Sequence, residues 1–389
     1  MFRENNTQRS ALMRRRYRAE KRFKAYCISA LGLALLFLVL FFADMISQGH
    51  SAFKQTELLV DVVYNEETLD LPQDAVPEDV YPLISRAWFR DMPRKLKNNP
   101  ALMGTTQQEW VPANADVDQF RKGNRDQIDE DEQAVLKQME AQGKAEFKFN
   151  TTFFTNGDSK IPTNAGLWSA FVGSFYVMLV TLLISFPIGV MTAIYLEEFA
   201  PDNRLTQGIE ININNLAAVP SILFGLLGLA IFINFFGVPR SSALAGGLTL
   251  SLMTLPVIII STRAALRAVP QNIRHGALAV GASRWQSVRD HVLPASLPGI
   301  LTGTIIGIAQ AMGETAPLLI IGMIAYIPEA PDGITQAATV LPAQIFTWAG
   351  MPERAYVERT AAAILVLLGL LIFMNSVAVY LRHKFERRW

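Results

Sequence analysis

The sequence predicts an all-α polytopic membrane protein with a water-soluble α+β insertion close to its N-terminus. Three observations predict it. Of 389 residues, 51% are hydrophobic and only 18% charged, below the quarter usual for soluble chains. Runs of roughly 20 apolar residues recur, and only a helix that satisfies its own backbone holds such a run in lipid. Between the first and second runs, residues 47–166 have the polar, acidic composition of a soluble domain. A net charge of +1 expresses no preference for nucleic acid or another strongly charged partner. The single Cys27 excludes a disulfide scaffold and reads as a small membrane-facing hydrophobe.

Residues 1–25 are basic, with Arg14, Arg15, Arg16, Arg18, Lys21, Arg22 and Lys24. The first apolar run, 26–46, exceeds the length of a signal-peptide core and has no small-residue cleavage site after it, so it reads as a retained helix. In the insertion, 58–64 and 146–154 read as short strands and 129–142 as a solvent-exposed helix. The acidic run Asp129, Glu130, Asp131, Glu132 lacks the Gly turn and alternating oxygen ligands of a calcium loop, and reads as a solvated helix start. Further spans are expected at 167–195, 211–236, 243–261, 297–323 and 361–381, six in all with the first. Basic residues at the span ends orient the chain. If the basic N-terminus is cytoplasmic, the segment 263–294 with Arg263, Arg267, Arg274, Arg284 and Arg289 and the tail with Arg382, Lys384, Arg387 and Arg388 fall on the same side, so three basic segments agree on one topology with both ends inside.

No phosphate-cradling P-loop, nucleophile elbow, HExxH or CxxC pair is present, and the four His residues are scattered. Chemistry on this chain is therefore not expected. In the loop 263–294, Ala277, Ala279 and Ala282 allow close helix approach and Gly281 breaks the helix. Trp285, Val288 and Val292 give one apolar stripe. A short helix, a Gly bend and a second short helix make a compact knob. It would either insert into a groove on a cytoplasmic partner or lie on the bilayer, and the residues alone leave both open. Glu314 stands at membrane depth, where a carboxylate pairs with a cation or faces water. Pro220, Pro256 and Pro317 kink or break spans. Asn212, Asn214 and Asn215 bridge helices or contact an oxyanion, and Gly225, Gly228, Gly246, Gly247, Gly303 and Gly307 permit close helix packing.

The spacing of Gly281 to Leu293-Pro294 resembles the EAA loop of ABC-transporter permeases. Met312-Gly-Glu-Thr-Ala-Pro317 resembles the GETAP signature of the A-type permeases of phosphate importers. Asn215-Leu-Ala-Ala-Val-Pro-Ser221, followed by Phe224-Gly-Leu-Leu-Gly228, is similar to the third-span segment of that family. The resemblance covers roughly residues 167–389. It implies a type I ABC importer permease core with 47–166 as a periplasmic α+β insertion, in the inner membrane, moving inorganic phosphate. It implies as partners a second permease subunit, two ATP-binding cassette subunits and a periplasmic phosphate-binding protein. ATP and Mg would bind on the partner ATPase subunits, with no cofactor on this chain. Coupling to the ATPase would fall to Arg274, His275, Gly276, Ala277, Ala279, Gly281, Ala282, Trp285, Leu293 and Pro294. The path or its gate would involve Glu314, Thr315, Gln310, Asn214, Asn215, Ser221 and Arg263. The chain departs from the family in four places. His275-Gly276-Ala277 replaces Glu-Ala-Ala, Gln310 and Ile260 stand where many members carry Arg, and the outer segment is longer. Arg263 or the partner permease would then supply the missing positive charge. The rival readings are a permease for sulfate, molybdate or phosphonate, and a membrane sensor of phosphate.

Overall fold

The computed structural model describes residues 2–65, 68, 70–124 and 128–385; Arg387 and Arg388, part of the orientation argument, lie outside the described residues. The first helix, α1, runs unbroken over Phe2–Gly49, about 72 Å at 1.5 Å per residue. It is longer than the expected 26–46 because no Gly or Pro precedes Gly32, and the basic segment continues the helix.

The insertion is built on a three-stranded antiparallel sheet of order β2-β1-β3, with β1 (Lys54–Tyr64) in the centre. Alternation along β1 buries Leu58, Val60, Val62 and Tyr64 on one face. That face is covered by α2 (Arg86–Asn98), with Phe89 and Met92 in the core. After β2 (Thr105–Pro112) come α3 (Ala115–Arg121) and α4 (Glu130–Ala141), which add Val117 and Leu136. The expected strand at 58–64 lies within β1 and the expected helix at 129–142 matches α4. The expected strand at 146–154 is cut short. β3 is Ala145–Phe149, and Asn150 then accepts the Phe153 N–H at 3.1 Å to start α5 (Thr151–Thr155). β2 went unread because Thr105–Gln108 carries no apolar alternation.

Among the described residues five helices are long and apolar enough to cross a membrane, and a bent pair makes a sixth crossing if counted as one span. After α1 comes α6 (Trp168–Ile194), continued in π-helical geometry to Phe199. The expected third span, 211–236, is not one helix. α7 (Arg204–Ala217) and α8 (Ser221–Gly228, extended to Phe235) meet at 104°. Pro220 causes the bend, since it has no N–H to continue the ladder and holds Val219 out of helical geometry. Next is α9 (Ala243–Arg267). Two short helices, α10 (Gln271–Ala279) and α11 (Arg284–Ser287), lead to α12 (Leu293–Gly313). The expected fifth span, 297–323, stops at Gly313. In a continued helix the ring of Pro317 would clash with the Gly313 carbonyl four residues earlier and offer it no N–H. A short α13 (Ala316–Ile320) and α14 (Leu341–Ala349) follow, and α15 (Arg354–Phe385) closes the chain.

Glycines set the helix register. A Cβ on Gly247 would lie 2.4 Å from Val180, and one on Gly189 2.8 Å from Ile258, so α6 and α9 run side by side in the same direction. On α12 the series Gly299, Gly303, Gly307 meets Ala265, Ser261 and Val257 of α9 in turn. That pair is antiparallel and seamed by small residues. α1 touches the bundle at Gly49, against the backbone of Ala361 and Ala362, and no residue of its apolar window is buried. The insertion caps one end of the bundle, the domain end; α10 and α11 stand at the other, the loop end.

Candidate functional site

At the loop end the chain forms a knob. Gly281 takes φ +90°, open to glycine and strained for other residues, and turns the chain between α10 and α11. Ser283 and Gln286 then cap α11 reciprocally. Ala277 is buried, Ala282 and Leu293 are half-buried, and His275, Gly276, Ala279 and Pro294 are exposed. Trp285 departs from the expected stripe. Val288 and Val292 are buried, but Trp285 is 53% exposed, because the backbone widens to a π-helix from Val288 and shifts the angular phase. The outward face therefore carries Leu278, Val280 and Trp285, with Val280 85% exposed.

The knob is fastened to the bundle by a cluster of charges. Arg274 pairs with Glu198 at 2.6 Å and also donates to the carbonyls of Leu266 and Val269 at 2.9 and 2.8 Å. Leu266 stands in the last turn of α9 and Val269 two residues past its end, where helical partners run out. One guanidinium thus ties α10 to the ends of both α6 and α9. Alongside, Arg263 pairs with Glu197 at 3.3 Å and Glu210 at 2.6 Å, and Arg267 pairs with Glu197 at 2.8 Å. Sequence reasoning missed Glu197, Glu198 and Glu210, because orientation rules count Lys and Arg and pass over acids. The available signal was three acids bounding the very side where the loop concentrates arginine.

Toward the domain end, two helix breaks meet. α13, just past the break at Glu314, packs on α8, just past the bend at Pro220; a Cβ on Gly225 would lie 2.7 Å from Pro317 Cα. Glu314 has extended backbone (φ −77°, ψ 121°) and is half-buried. Extending the α9–α12 register by seven residues from the Gly307–Val257 contact puts it level with Leu250, about 10 Å along α9 from its first residue. Among the described residues the Glu314 carboxylate has no hydrogen-bond or ion-pair partner, while its backbone N–H donates to the Ala311 carbonyl at 3.2 Å. Gln310, one turn earlier, is exposed, and Thr315 and Ser221 are half-buried. Asn212 bonds the Gly208 carbonyl of its own helix at 2.8 Å, whereas Asn214 and Asn215 project outward. Arg263 does not join this group. It lies about 20 Å further along α9, neutralised by two carboxylates.

Residues 185–387 match the family model described as the binding-protein-dependent transport system inner membrane component. Residues 10–81 and 71–130 match a domain of unknown function, DUF3333. The chain is 36% identical over 167 residues to the probable ABC transporter permease protein YqgI of Bacillus subtilis (strain 168), covering 43% of this chain and 56% of that one. It is 33% identical over 201 residues to the probable ABC transporter permease protein YqgH of the same organism, covering 46% and 64%. It is 32% identical over 224 residues to the phosphate transport system permease protein PstA 1 of Mycobacterium tuberculosis (strain CDC 1551 / Oshkosh), covering 57% and 72%. The chain thus spans less than two thirds of the length of the two Bacillus relatives.

Proposed function

The chain belongs to the family of binding-protein-dependent transport system inner membrane components, and from that premise we propose that it is the permease subunit of an ATP-driven importer of inorganic phosphate. It sits in the inner membrane with both ends in the cytoplasm. It works beside a second permease subunit, two ATP-binding cassette subunits and a periplasmic phosphate-binding protein. The ATPase subunits bind ATP and Mg; this chain contributes the moving path.

The observation that carries the importer reading is the knob, an outward apolar face on a loop clamped to two span ends. Leu278, Val280 and Trp285 enter a groove on the ATPase subunit as an amphipathic helix pair does. When that groove moves, Arg274 passes the displacement to α9 through the Leu266 and Val269 carbonyls, and to α6 through Glu198. α9 and α12 follow together along their glycine seam, and the strain falls on the helix break at Glu314, where the backbone turns extended. The path then opens alternately to either side, driven by nucleotide that binds one state more tightly than the other.

Phosphate is favoured by the relative of that name and by the chemistry at the breaks. Gln310, Asn214 and Asn215 offer amide N–H donors suited to an oxyanion. Glu314 would repel that anion, so its role is a gate held by a cation of the partner permease. The test is radiolabelled phosphate uptake in cells lacking this chain, with and without its restoration, against excess arsenate, sulfate or molybdate. Restored uptake blocked by arsenate alone is the expected result. Competition by sulfate or molybdate would reassign the substrate, and unchanged uptake with the protein correctly inserted would point to a sensor.

A further inference from the structure

One corner of the insertion carries a stack of aromatic rings that the transport cycle leaves unused. β3 is an edge strand, and its last residue, Phe149, lies opposite Lys54, the first residue of β1. Phe149 stacks on Phe154 with centroids 5.7 Å apart and planes within 4°. Phe154 stacks in turn on Phe53 at 5.9 Å and 11°. Phe53 ends the helical run that carries the first span.

Backbone bonds fix the level of this stack on the second span. The Leu167 N–H donates to Phe153 O at 2.8 Å and the Trp168 N–H to Asn156 O at 2.9 Å. Phe154 therefore stands beside the first turn of α6. From that turn an exposed stripe of Trp168, Phe171, Phe175, Leu179 and Leu182 descends the helix at helical spacing. The ring stack is thus continuous with the apolar surface that α1 and α6 present to lipid.

Phe149 is 62% exposed and Phe154 37%, a costly display of apolar surface if water covered it. Rings at the level where a span begins match the aromatic belt of a bilayer boundary. The exposed Lys54 beside Phe149 supplies a cation for lipid phosphate.

We infer that the bilayer covers this corner: Phe149 and Phe154 insert at the headgroup–acyl boundary of the leaflet on the domain side, and this contact fixes the tilt of the insertion over the spans. The inference rests on the membrane reading of the spans and is independent of the substrate.

Cys27 is the one cysteine of the chain, so Cys27→Ser gives a background for single spin labels on the full chain in phosphatidylcholine–phosphatidylglycerol nanodiscs. Labels go at Phe149→Cys, Phe154→Cys and, as a control on the opposite edge strand, Gln108→Cys. Lys54→Cys adds a probe that keeps all three rings in place. Power saturation with oxygen, which partitions into lipid, and with a water-soluble nickel chelate then reads depth. Preferential access of oxygen at 149 and 154, a boundary value at 54 and preferential access of nickel at 108 support the inference. Preferential access of nickel at 54, 149 and 154 overturns it. Protection of those three sites from both reagents also overturns it, and would assign the corner to a protein that pairs with edge strand β3.

Discussion

Replacing Arg274 with alanine tests whether one guanidinium holds the knob to the bundle. The side chains of Arg274 and Glu198 are 13% and 9% exposed and 2.6 Å apart. Removing one partner of such a pair costs about 3–5 kcal/mol, because the other charge stays buried. The Leu266 and Val269 carbonyls lose the Arg274 donor in the same change, Leu266 keeping its bond from the Val269 N–H. Local opening of α10 should become about 150- to 5,000-fold more frequent. Hydrogen exchange on the chain in nanodiscs reads this directly: amides of residues 271–279 should lose protection in Arg274→Ala, while those of β1 stay unchanged. Arg274→Lys keeps a point charge for Glu198 but cannot reach both carbonyls as well, so it should fall between. A double-mutant cycle with Glu198→Gln should return a coupling of about 1–3 kcal/mol. Unchanged exchange across 271–279 in Arg274→Ala would refute the clamp and leave the knob held by the burial of Ala277 and Val288 alone.

Gly281→Val should cost about 1–2 kcal/mol through its positive φ, since nothing lies near enough to clash; Gly281→Asn should be milder, and co-purification with the ATPase subunit would rank the two. A Cβ at Gly49 would stand 2.8 Å from the backbone nitrogen of Ala362, so Gly49→Ala should lower the melting temperature through about 1–3 kcal/mol of overpacking. Gly32→Ala, which meets nothing within 4 Å, is its control. Burial raises the carboxyl pKa of Asp158, partly offset by hydrogen bonds from Trp348 and the Ser159 N–H. Its folded-state pKa lies above the unfolded value, so wild-type stability falls as pH rises through that window. Asp158→Asn should remove this slope and gain on wild type with rising pH in thermal melts; parallel melting curves would show that Asp158 titrates alike in both states.

Much of this protein was legible residue by residue. The spans follow from apolar runs, because lipid accepts a backbone only when each helix satisfies itself. The turn of the knob follows from Gly281. The stops at Pro220 and Pro317 were expected as kinks, since a missing N–H acts within four residues of its own position. Their depth was not legible: 211–236 reads as one span until the 104° bend is seen, and 297–323 until Gly313 ends the helix. The tertiary structure alone decided what those breaks do. It set α8 against α13, paired Arg274 with Glu198 across 76 residues of sequence, and placed Arg263 in a cluster of acids. It also turned Trp285 outward and brought Phe53, Phe149 and Phe154 into one stack. Propensity, proline and glycine act over a turn or two of chain, whereas a charge or a ring chooses its partner by where whole helices come to rest. That placement is settled by packing, here by glycine seams a side-chain thickness wide.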